Sequence, residues 1–182
     1  MNTLVVSYLT LRRAIGVLGI ALPFVLPALG GAQHSLSAYY GTPARDVLVG
    51  TLCLIGAFLL AYRGYDRRDR AAGVVGGLAI IGVAWVPWDG PQPLLHTLCA
   101  AVFFASAAYF ALVLFPLSAG QPTPAKLHRN RVYRICGWTI VAMLIAAAAG
   151  APLLLAEAVA VIAFGAAWLV KGEAILADQA DT

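Results

Sequence analysis

The chain predicts an all-α, polytopic transmembrane bundle of six helices, and three observations carry that reading. Of its 182 residues, 62% are hydrophobic and 11% charged, where soluble domains run about 45–50% and 25%. The apolar residues gather in six runs, each near the ~20 residues that a helix needs to cross a bilayer. When these runs alternate in direction, eleven of the twelve Lys and Arg residues fall on one side. So short a soluble chain has no interior large enough for this much apolar surface, whereas lipid solvates the outside of a bundle. A formal net charge of +4 suits a nucleic-acid binder. The charges nevertheless sit in short clusters between apolar runs, as topology signals do, and no nucleic-acid partner is expected.

The first run, 14–31, follows Arg12-Arg13 and contains Pro23 and Pro27. Gly30-Gly31-Ala32 resembles a signal-peptide cleavage site, but the two prolines and the long segment before the arginine pair favour a retained first helix. Residues 32–46 form a polar, aromatic loop, and 47–62 the second helix. A short charged turn containing Arg67, Arg68 and Arg70 leads to the third helix, 71–88. There Gly73 and Gly77 make a G-x-x-x-G pattern with Gly76 and Gly82 nearby. Small residues let backbones approach closely, so a tight contact inside the bundle is expected, with a homo-oligomer face as the alternative. The fourth helix is 94–117.

Residues 118–134, with Pro122 and Pro124, read as a cytoplasmic linker before a terminal hairpin of helices 135–150 and 152–170. Gly150-Ala151-Pro152 joins these two as a helix stop followed by proline at a helix start. A single helix of about 36 residues would overshoot the ~30 Å hydrocarbon core. No internal repeat points to an inverted-repeat transporter. Cys53, Cys99 and Cys136 lie in apolar runs without metal-ligand spacing and read as packing residues.

A cytoplasmic N-terminus places Arg12, Arg13, Arg63, Arg67, Arg68, Arg70, Lys126, Arg129, Arg131, Arg134 and Lys171 inside and leaves Arg45 outside. That asymmetry is the positive-inside signature. Both termini are then cytoplasmic and the whole chain is one transmembrane domain. The expected location is the cell membrane, the inner membrane for a bacterial chain, with membrane lipid as partner.

Depth then sorts the polar residues. His34, Arg45, Asp46, Asp89, His96 and Glu157 all lie toward the outer end, level with Tyr39, Tyr40, Trp85 and Trp88. Glu157 is the sharpest of them. It lies roughly 7–8 Å deep at ~1.5 Å per residue, and a carboxylate in a membrane tends to face a bundle interior or a wet cavity. His34, Asp46, His96 and Glu157 are the candidate acid–base residues. His34, Asp46 and His96 are the candidate metal ligands. Tyr39, Tyr40, Arg45 and Trp88 are candidate ligand contacts, Arg45 through its planar fork. Each has a plainer reading. Asp46 serves as a first-turn acid, Asp89-Gly90 as a turn, the aromatics as an interfacial belt, and Glu157 as a partner for Arg45 or a histidine. His128 reads as solvated.

Two stretches carry a resemblance. One is His34-Ser35-Leu36-Ser37-Ala38-Tyr39-Tyr40, continuing through Arg45-Asp46 to Tyr62-Arg63-Gly64-Tyr65; the other is His96-Thr97-Leu98-Cys99-Ala100-Ala101 with Phe103-Phe104 and Tyr109. Over roughly residues 11–134 they resemble the DRAM/Frag/Sfk group of six-helix membrane proteins and related bacterial families. The resemblance implies a six-helix bundle and carries over Ser37, Arg45 and His96. Eukaryotic members of that group are linked to autophagy regulation and lipid remodelling. The chain also bears comparison with the alkaline ceramidase and adipokine-receptor superfamily of seven-helix zinc hydrolases. Where those carry H-x-x-x-H, this chain has His96 and Ala100.

The expected function is an outward-facing polar pocket that binds a lipid or small amphiphile without a cofactor. A lipid-active hydrolase or transferase, metal-dependent through zinc, is the alternative.

Overall fold

The computed structural model describes residues 3–118, 121 and 123–174, with side chains from Tyr8 onward. The described residues form helices and no strand. Helix α1 is Thr3–Gly30, α2 Arg45–Ala61, α3 Arg67–Trp85, α4 Pro93–Tyr109, α5 Pro124–Ala148 and α6 Leu153–Lys171. A short 3-10 helix, Ser37–Gly41, precedes α2, and a π-helical turn, Phe110–Leu114, prolongs α4. Each helix packs on the next in chain order, and α6 returns to pack on α1, closing an up-and-down ring.

Four helices are long and apolar enough to cross a membrane: α1, α4 with its π turn, α5 and α6. Helix α2 has 17 residues, about 25 Å at ~1.5 Å per residue. Helix α3 opens with Arg67-Arg68-Asp69-Arg70, which shortens its apolar part.

Two helices begin several turns before their apolar runs do. Helix α1 starts at Thr3 rather than 14 and passes through Pro23 and Pro27 without breaking, as buried membrane helices tolerate. Helix α5 starts at Pro124 rather than 135, so most of the expected 118–134 linker is helical. Thr123 Oγ1 accepts the Lys126 N–H at 3.1 Å, and Pro124 occupies a first-turn position where its missing N–H costs nothing. Both extensions are amphipathic: Arg12, Arg129 and Tyr133 are buried, while Arg13, His128, Arg131 and Arg134 are exposed.

Glycine allows close backbone approach at two helix contacts, α1 with α6 and α2 with α3. A Cβ on Gly165 of α6 would lie 2.6 Å from the Gly16 carbonyl oxygen of α1. A Cβ on Gly73 would lie 2.7 Å from the Leu59 oxygen, and one on Gly77 2.9 Å from the Gly56 oxygen. The G-x-x-x-G face of α3 is therefore spent on α2 within the same chain. The terminal hairpin forms as expected. Gly150, at φ 88°, ends α5, and the Ala151 N–H donates to the Ala146 carbonyl at 2.9 Å.

The middle of the ring is aromatic. Trp168 packs edge-on against Tyr62 and Phe115, with centroids 5.0 and 5.1 Å apart, and lies 5.4 Å from Phe110. These four side chains are essentially inaccessible to solvent. The alternating helix directions place the basic clusters of α1, α3 and α5, and Lys171, toward one end of the ring, called here the Arg12 end. The loop 31–44 and the start of α4 form the other, the His96 end.

Candidate functional site

At the His96 end, the loop after α1 is tied into place from three directions. Gly31 leaves the helix at φ 70°, a left-handed conformation that glycine adopts freely. The chain then crosses to α6. The His34 carbonyl accepts the Leu154 N–H at 2.9 Å, and Glu157 Oε2 accepts the Leu36 N–H at 2.6 Å. Ser35, buried, turns the chain by accepting the Ala38 N–H on its Oγ at 3.0 Å. The His34 ring meets Trp88 edge-on, with centroids 4.9 Å apart.

Ser37 follows, at the start of the 3-10 helix. Its Oγ lies 2.9 Å from His96 Nε2, and His96 Nδ1 lies 2.6 Å from the Val86 carbonyl oxygen. A carbonyl only accepts, so Nδ1 carries a proton. In the neutral imidazole Nε2 is then the acceptor, and the Ser37 hydroxyl donates to it. His96 is buried, and both of its nitrogens are committed.

These side chains border a cleft of about 480 Å³ between α4 on one side and the α5–α6 hairpin on the other. His34, Ser37, Trp88, His96 and Glu157 give it a polar margin. Phe104, Met143, Leu144 and Leu153 line its apolar wall, with Ala100, Ala101, Ala147, Ala148, Ala156 and Ala160 among them. Alanine at those helix positions is what leaves the space. Ser37 and Glu157 also border a smaller void of about 40 Å³ toward α1–α3.

The other predicted residues at the same depth do not join the cleft. Asp46 is exposed in the first turn of α2. Arg45 donates to the Tyr40 hydroxyl at 2.9 Å and stacks 4.5 Å over that ring, on the outside of the ring of helices. Tyr39 is fully buried and donates its hydroxyl proton to the Gly31 carbonyl at 2.8 Å, a structural tie. Glu157 pairs with a main-chain N–H, not with Arg45 or a histidine. Asp89 and Trp85 are exposed near the same end. Among the described residues no three His, Cys, Asp or Glu side chains converge to hold a metal. A catalytic zinc takes three protein ligands, so the proposed set of His34, Asp46 and His96 does not fit it. Ala100, one helical turn after His96, is part of the cleft wall.

Sequence reasoning passed over Ser35, whose spacing to Ala38 is the local signal of a serine turn. It also read Arg12, Arg129 and Lys171 as topology signals only, yet all three are buried at the Arg12 end. Compared with protein-family models, with curated proteins and with solved structures, the chain shows no match, which leaves the cleft's own chemistry as the guide to its use.

Proposed function

We propose that this is a membrane protein that crosses the bilayer six times with both termini cytoplasmic, and that its cleft faces outward and binds a lipid or small amphiphile. The cleft carries this reading. Ligand sites run to about 300–1,000 Å³, are mostly apolar, and present a few convergent polar groups. The space between α4 and the α5–α6 hairpin, at about 480 Å³, fits that description. An acyl or other apolar chain would lie along the alanine, Phe104 and Met143 wall, and its polar head would meet His34, His96 and Glu157. The collection of basic residues toward the Arg12 end supports the orientation through the positive-inside rule. At 17 residues, α2 stands at the short limit of ~17–25 for a span. Resemblance to the DRAM/Frag/Sfk group agrees with this reading and belongs to the proposal.

Native mass spectrometry of the detergent-purified chain tests it. The expected result is one retained amphiphile per chain. Ala101 and Ala148 line the cleft and are exposed, so Ala101→Phe with Ala148→Phe fills it without disturbing the core. The double variant should lose the bound molecule. Equal retention in both proteins overturns the reading.

The Ser37–His96 hydrogen bond favours a second reading, hydrolysis or transfer of an acyl group in the same cleft. Nucleophile and base lie within reach, and a third group, the Val86 carbonyl, orients the base. Ser37 Oγ would add to an ester carbonyl as its proton passes to His96 Nε2, and the departing alcohol would take that proton. Water or a second alcohol would then release the acyl group from Ser37. A fluorophosphonate probe should leave a covalent adduct on Ser37 that is absent from Ser37→Ala and His96→Ala. No adduct on a protein that still retains its amphiphile eliminates this second reading and keeps the first.

A further inference from the structure

The Arg12 end contains a second cavity, of about 580 Å³, bounded by α1, the 65–69 turn, the start of α5 and the end of α6. Among the described residues, Arg12, Lys126, Arg129 and Lys171 line it, together with the acids Asp66, Asp69 and Glu173. Of these described residues, Arg12 is buried at 5% exposure, Arg129 and Lys171 at 8% each, and Asp69 at 3%.

The two aspartates already have main-chain duties. Asp66 Oδ1 accepts the N–H groups of Arg68 and Asp69 at 2.8 and 3.0 Å and caps α3. Asp69 Oδ2 accepts the Tyr65 N–H at 3.1 Å. Glu173 is exposed.

Buried cations are ordinarily held by carboxylates. Among the described residues, Arg12 and Lys171 meet aromatic faces and a main-chain carbonyl instead. The Arg12 guanidinium lies 4.5 Å over the Tyr8 ring and donates through one terminal nitrogen to the Lys171 carbonyl at 3.3 Å. Lys171 Nζ lies 4.8 Å over Tyr65 and 5.2 Å over Phe115. Among the described residues, the buried Arg12 Nε has no hydrogen-bond partner, a donor whose desolvation is left uncompensated. Lys126 Nζ donates to the Phe115 carbonyl at 2.6 Å. Arg12 and Lys171, two buried cations at one cavity, one of them with a spare buried donor, suit an oxyanion.

We propose that this cavity binds a phosphate group, carried by an anionic lipid of the adjoining leaflet or by a soluble phosphate ester. The volume exceeds that of inorganic phosphate and leaves room for the rest of a headgroup or a small metabolite beside Tyr65 and Tyr133. The proposal does not depend on what the cleft at the His96 end binds.

The test uses the full chain, stripped of lipid in neutral detergent, at constant ionic strength. One arm adds glycerol 3-phosphate, with chloride as the control, and follows thermal stability. The other reconstitutes the chain in phosphatidylcholine nanodiscs with or without phosphatidic acid and counts retained lipid by native mass spectrometry. Phosphate binding in either arm supports the proposal, and the responding arm identifies the source. Lys126→Gln, at a partly exposed position, and Arg129→Gln should each weaken binding about ten- to a hundredfold, the worth of one charged hydrogen bond. Arg131→Gln, exposed and outside the cavity, should leave it unchanged. No response in either arm, or equal binding in all three variants, overturns the proposal.

Discussion

Glu157 accepts the main-chain N–H of Leu36 at 2.6 Å, across a sequence separation of 121 residues. Together with the bond from Leu154 N–H to the His34 carbonyl, it fastens the loop after α1 to the first turns of α6. A carboxylate in an apolar helix that looks like chemistry is thus also a tether, and the tether places His34 and Ser37 at the cleft.

Replacing Glu157 with alanine should leave the Leu36 N–H without its acceptor and destabilise the protein by about 1–3 kcal/mol. Glu157→Gln keeps an acceptor oxygen and should lose less. Thermal or denaturant unfolding in detergent compares the two. Equal stability of Glu157→Ala and the parent would show that the tether contributes nothing.

The imidazole of His96 should exist as the Nδ1–H tautomer, because its Nδ1 faces the Val86 carbonyl and a carbonyl cannot donate. Nitrogen-15 chemical shifts of labelled histidine report the tautomer directly. Ser37→Ala should preserve that tautomer and cost about 1 kcal/mol for one hydrogen bond. An Nε2–H signal for His96 would contradict the arrangement.

Gly165→Ala should push α6 away from α1, since its new Cβ would meet the Gly16 carbonyl oxygen at 2.6 Å. Overpacking of this kind costs about 1–3 kcal/mol. Gly50→Ala provides the contrast. Nothing lies within 4 Å of a Cβ there, and the higher helix propensity of alanine should stabilise α2 by up to about 1 kcal/mol. Unfolding midpoints of the two variants should move in opposite directions.

Single cysteines at Arg67 and Arg131 should label with a membrane-impermeant maleimide from the same side of sealed vesicles, and a cysteine at Asp89 from the other. All three positions are exposed. Labelling of Arg67→Cys and Arg131→Cys from opposite sides would remove the six-span topology and the outward orientation of the cleft together.

What the sequence determined by itself is axial. Hydropathy and charge are local properties of the chain, so the helical class, the six elements, the break at Gly150-Ala151-Pro152 and the end at which each polar residue lies were all legible. The early starts of α1 and α5 were not, because basic residues on one face of a helix resemble a loop when read in a line; Thr123-Pro124 was the available signal. Rotation about each helix axis was decided only by tertiary packing. Asp46 and Glu157 lie near the same end, yet Asp46 faces outward while Glu157 faces the cleft, because the turn of α2 is set by its glycine contacts with α3 and that of α6 by Gly165 against α1. The same packing turned Arg12, Arg129 and Lys171 inward, and no count of charges along the chain contains that information.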